Sequence, residues 1–73
     1  MRENLKKARQ EAGLTQQTLA DKLGISLRYY QSIEQGSRTG DFYIWDALED
    51  ITKIHQRKLR ENVDIHRDRG ASR

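Results

Sequence analysis

Within residues 25–36, ISLRYYQSIEQG, an arginine, two glutamines and two serines stand among isoleucines and tyrosines and are closed by a glycine. Wound as a helix at about 100° per residue, the stretch separates into two faces. Tyr30, Ile33 and Glu34 share the face that a core would take, while Arg28, Gln31, Ser32 and Gln35 share the opposite one. Tyr29 falls on the flank, and Leu27 projects from the N-terminal end. The outward set offers a guanidinium fork of donors, amides with a donor beside an acceptor, and a hydroxyl that does both. It holds no carboxylate, so it suits a polar, negatively charged partner. Glu34 faces the other way and needs a partner of its own if it is buried.

Other candidate chemistry fails on spacing. His55 and His66 have no cysteine and no carboxylate at metal-ligand spacing, so no metal site is expected. Asp46, Glu49 and Asp50 are best read as solvated charge on a helix surface. No glycine-rich phosphate loop or serine nucleophile elbow occurs, hence no catalytic residue, no cofactor and no enzyme activity is expected. Phe42 and Trp45, three residues apart, read as core anchors.

The elements that must hold these residues are helices. The chain has no proline and no cysteine, and is rich in good helix formers. A first helix is predicted from Arg2 to Ala12, with Leu5, Ala8 and Ala12 as its apolar stripe. Thr15 then stands where an N-cap hydroxyl serves a second helix, Gln16 to Leu23, with Leu19, Ala20 and Leu23 on one face. Gly24 suits a tight turn, and Ser26 caps a third helix from Leu27 to Gln35. Asp41 is placed as cap of a fourth helix ending near Lys53, whose apolar face is Phe42, Ile44, Trp45, Leu48 and Ile51. A short fifth helix is predicted over Gln56 to Asn62, anchored by Leu59.

With 73 residues and 34% hydrophobic content, the chain fits one small domain without a disulfide staple. No apolar run is long enough for a membrane span or a secretory leader, so a soluble, cytoplasmic protein with no membrane partner is expected. Basic residues outnumber acidic ones seven to four over residues 1–40 and six to three over 57–73, but are outnumbered four to one over 41–56. A polyanion would therefore favour the two ends and avoid Asp41, Asp46, Glu49 and Asp50.

Residues 14–36, LTQQTLADKLGISLRYYQSIEQG, resemble the DNA-binding segment of lambda-repressor-like, or XRE-type, helix-turn-helix regulators. The matching positions include Gln16, Ala20, Gly24, Ile33, Glu34 and Gly36, and the likeness extends more loosely over residues 3–62. Two departures are Gly40, where relatives usually carry a proline, and Thr52, where a large aliphatic residue is usual. The resemblance implies an all-α, compact bundle of about five short helices. It places a helix-turn-helix DNA-binding domain over residues 1–63, with the motif at 16–35; beyond it the composition, rich in Asp, His, Arg, Gly and Ser with little to bury, predicts a disordered basic tail over 64–73.

The resemblance further implies that the third helix enters the major groove of a double-stranded DNA operator by its N-terminal end. It carries a base-reading role to Leu27, Arg28, Gln31 and Ser32, and a phosphate-clamping role to Gln16. Arg suits guanine O6 and N7, Gln suits adenine N6 and N7, and Leu suits a thymine methyl. Thr15, Ser26, Tyr29 and Arg38 are lesser candidates for backbone contact, with capping alone sufficient to explain Thr15 and Ser26. Arg9 is implied as the buried partner of Glu34, and Tyr30 is placed in the core with its hydroxyl at the edge.

The function implied is a sequence-specific transcriptional regulator, a repressor of phage or mobile-element type in a bacterial or phage-infected cell. It would act as a homodimer on DNA; the leftover apolar residues Ile54, Leu59, Val63 and Ile65 offer a dimer surface, with completion of the core as the alternative for Leu59. The alternative is an antitoxin-like or anti-repressor module working through a regulatory protein partner, for which the acidic fourth helix and its aromatics are suited.

Overall fold

The computed structural model describes residues 1–62; the expected tail and the apolar residues Val63 and Ile65 lie outside them. Five helices follow one another: α1 (Glu3–Glu11), α2 (Gln16–Leu23), α3 (Leu27–Gln35), α4 (Phe42–Thr52) and α5 (Gln56–Leu59). α2 packs on α3, α1 lies against α3 and α5, and α4 closes the bundle against α2 and α5.

The two central helices begin and end where local chemistry directs. Thr15 and Ser26, both in extended backbone, accept hydrogen bonds from the amides of Thr18 and Tyr29, satisfying N–H groups that have no partner within the helix. Gly24 ends α2 with φ +72°, a left-handed conformation that glycine adopts without a Cβ penalty. The turn then carries the chain directly into α3, with Ile25 packed against the core.

The core is assembled from one stripe of each helix: Leu5 and Ala8; Leu19, Ala20 and Leu23; Tyr30 and Ile33; Ile44, Trp45 and Leu48; and Leu59. Leu59 is fully buried, which removes it from the expected dimer surface, and Ile54 is partly buried against the same core. α5 is a single turn and stops well before Asn62, whose amide instead donates to the Gly36 carbonyl at 3.1 Å.

Phe42 does not anchor the core. It is 81% exposed, and Tyr43 beside it is 58% exposed. The inward face of α4 is taken by Ile44, Trp45 and Leu48, with Ile51 half-buried below them. On a helical wheel Phe42 lies about 60° beyond Trp45, outside that stripe. Asp41 occupies the N-cap position of α4, but its side chain makes no capping bond.

The loop between α3 and α4 is tied at several points. The Trp45 indole donates to the Thr39 carbonyl at 2.8 Å, and the Ser37 hydroxyl donates to the Ser32 carbonyl at 3.1 Å. Gly40 has φ +84°, a value closed to proline, and a Cβ there would meet Ile33 Cδ1 at 3.1 Å. Glycine at this position thus lets the loop fold down over Ile33. Among the described residues no helix is long and apolar enough to cross a membrane.

Candidate nucleic-acid interface

α3 presents its polar face as the geometry of α2, the turn and α3 dictates. Arg28 is exposed, while Leu27, Tyr29, Gln31 and Ser32 are half-buried. Arg28 makes no side-chain bond among the described residues, so its guanidinium is available to a partner. The other candidates carry internal bonds. The Ser32 hydroxyl donates to the Tyr29 carbonyl at 2.7 Å, which leaves its oxygen as an acceptor. Ser26 Oγ is engaged at the Tyr29 amide, at 3.0 Å. Arg38, exposed in the following loop, lies over the Tyr29 ring with its Cζ 5.9 Å from the centroid. This cation–π contact brings the loop cation to the flank of α3.

Behind that face stands a buried polar cluster. Arg9 Nε donates to Glu34 Oε2 at 2.9 Å, and Arg9 Nη1 donates to the Leu14 carbonyl at 2.9 Å. Tyr30 donates its hydroxyl to the same Oε2 at 2.6 Å, and Gln16 Nε2 donates to Oε1 at 2.9 Å. Tyr30 is fully buried, ring and hydroxyl alike. The hydroxyl therefore does not sit at the core edge, because the only acceptor it serves is the carboxylate inside. Burial by itself raises the Glu34 carboxyl, but the bonds from Arg9, Tyr30 and Gln16 and the Arg9 charge together hold it below the usual carboxylate range. Burial, with the bond to Glu34 second, pushes the Tyr30 hydroxyl well above its ordinary value. The bond to Glu34 raises Arg9 further, against the effect of its burial.

Gln16 is thus drawn inward. Its Nε2 faces Glu34, and its Oε1 accepts from Gln31 Nε2 at 3.2 Å. The first turn of α2 still leaves backbone N–H groups at the positive end of the helix, where an anion is favoured.

Comparison with known proteins places this arrangement. A model of the family described as helix-turn-helix matches residues 5–55, which spans all of α2 through α4. The chain belongs to the lambda-repressor-like, XRE-type helix-turn-helix family. It is 55% identical over 52 residues to a Bacillus subtilis protein named Uncharacterized HTH-type transcriptional regulator YqaE. That match covers 71% of this chain and 45% of the relative, so the chain spans about half the length of the curated relative it matches. No solved structure matches.

In this helix-turn-helix domain one residue with a large structural part has no signature in the sequence. Arg2, expected to open α1, stands before it with its side chain turned inward, only 6% exposed. Its Nη1 donates to the carbonyls of Ile33 at 2.6 Å and Arg38 at 2.8 Å, and its Nε donates to that of Arg60 at 3.1 Å. The guanidinium also lies 5.3 Å from the Trp45 ring centroid. Burial, and next the Arg60 charge, lower its pKa from the ordinary arginine value. Nothing in the local sequence separates Arg2 from Lys6 or Lys7, since only the folded chain brings the end of α3 beside it.

Proposed function

We propose that this chain is a sequence-specific, double-stranded DNA-binding transcriptional regulator that inserts α3 into the major groove. The observation that carries this reading is the exposed, unengaged Arg28 near the N-terminus of a helix-turn-helix second helix whose outer face holds no carboxylate. Leu27, Arg28, Gln31 and Ser32 read base edges in this proposal. Gln16 and the N-terminal amides of α2, with Ser26, Tyr29 and Arg38, contact the sugar–phosphate backbone and set the register. The name of the Bacillus subtilis relative supports a regulatory role.

One such helix reads few bases, so two copies on half-sites about 34–36 Å apart would supply useful specificity. Occupancy of the operator would then exclude other proteins, which is repression of the phage or mobile-element kind, in the cytoplasm. The test is a gel shift with selected and mixed-sequence duplexes across a salt series. The logarithm of the binding constant is expected to fall linearly with the logarithm of salt concentration, and Arg28→Ala to reduce discrimination at one base pair. Binding that ignores salt, or an Arg28→Ala variant with unaltered specific and non-specific affinity, would reject the reading.

A second reading rests on α4. Phe42 and Tyr43 stand exposed beside Asp41, Asp46 and Asp50, a surface that repels DNA and suits a basic protein partner. It would make the chain an antitoxin-like or anti-repressor module, and it predicts no salt-dependent duplex binding.

A further inference from the structure

The bonds linking the buried ion pair to the outer face of α3 run through two amides, and their polarity has one solution. Glu34 is an ionised carboxylate and can only accept, so the Gln16 atom facing it at 2.9 Å is the amide nitrogen. The Gln16 oxygen then points to α3, where it too can only accept. The Gln31 atom at 3.2 Å is therefore also the nitrogen. Turning either amide over would set oxygen against oxygen.

This removes the freedom that an isolated glutamine has. A solvated Gln31 presents its NH2 or its carbonyl with equal ease, and so serves purines of either kind. With one N–H held by Gln16, Gln31 retains its carbonyl oxygen and one N–H for a partner. That pair matches adenine, which offers a donor at N6 beside an acceptor at N7. Guanine offers acceptors at both O6 and N7, so it would meet the Gln31 oxygen with its own.

Resting on the DNA-binding reading proposed above, we infer that Gln31 is an adenine-specifying residue, and that Gln16 and Glu34 are positioning residues that set which edge of its amide faces the groove. Arg9 anchors the line from the inside, so the charge of a core ion pair determines base preference at the surface. The sequence contains each of these residues, but not their order of contact.

Two measurements test this with the full chain. In the free protein, the Gln31 side-chain N–H that is bonded to Gln16 is expected to exchange slowly with solvent and to lie away from the chemical shift of a solvated glutamine. Gln16→Met, which keeps the length and removes both amide atoms, is expected to return its shift and exchange rate to those of a solvated glutamine. On DNA, the wild type is expected to prefer A·T over G·C at one position of its selected site by about tenfold. Gln16→Met is expected to lose that preference at that position, whatever it does to overall affinity. Gln31→Ala should lose it equally, and the double variant should lose no more than either. Purine in place of adenine, lacking the N6 amino group, should weaken wild-type binding but leave Gln16→Met unaffected. An unchanged Gln31 spectrum, or a retained A·T preference in Gln16→Met, overturns the inference while the DNA-binding reading stands. A wild type that discriminates among no duplexes overturns both.

Discussion

The Tyr30 hydroxyl donates a 2.6 Å hydrogen bond to Glu34, four residues further along the same helix, so the two most polar groups on the buried face of α3 satisfy each other. Spacing of i and i+4 stacks them on one side of the helix, and Arg9 completes the charge balance from α1 at 2.9 Å.

This pair makes stability fall at both ends of the pH scale. Glu34 is depressed in the folded protein, so its contribution is complete above the unfolded value of about 4.3 and is lost as pH falls through the lower folded value. Tyr30 is raised, so its contribution is complete below about 10 and is lost as the unfolded chain ionises first at higher pH. Thermal melts across pH should therefore show an acid limb and an alkaline limb. Tyr30→Phe is expected to flatten the alkaline limb, leave the acid limb in place, and cost about 1.5–3 kcal/mol at neutral pH, the range for a bond to a charged acceptor. An alkaline limb unchanged in Tyr30→Phe would assign it to another group.

Arg2 braces the end of α3 against the following loop and α5 through three carbonyls. Arg2→Met keeps much of the packing on Trp45 but leaves the buried Ile33 carbonyl without this donor. The expected loss is about 2–3 kcal/mol in urea unfolding. Arg2→Lys should recover only part, because an ammonium lacks the planar fork that reaches separate acceptors. Equal stability of the Lys variant and wild type would show that charge alone suffices.

The division of α4 into inward and outward aromatics is equally open to measurement. Phe42→Ser and Tyr43→Ser are each expected to change stability by no more than about 0.5 kcal/mol. Ile44→Ala, at a fully buried neighbour, is expected to cost about 2–5 kcal/mol. A Phe42→Ser loss in the range of the core variant would contradict the exposed placement.

What was legible in the sequence was local. Thr15 and Ser26 cap by bonds to amides three residues on, Gly24 and Gly36 end α2 and α3 in left-handed backbone, and the apolar stripes follow helical period. These are interactions within one turn, so the residues alone specify them and the bounds of both helices follow. Phe42 was misread because its spacing from Trp45 satisfies the pattern that a core pair would. Which apolar side chain turns inward depends on how much of the face Ile44 and Leu48 already occupy.

The sequence by itself determined the all-α class, the helix-turn-helix segment and the polar composition of the outer face of α3. Only the tertiary structure decided that Arg2 is buried, that Tyr30 carries its hydroxyl into the core, and that Gln16 turns inward to join Glu34 to Gln31. The reason is that caps, turns and periodicity act between near neighbours in the chain. Partners of a buried polar group, by contrast, are chosen from whatever donors and acceptors packing brings within about 3 Å, and desolvation makes that choice compulsory.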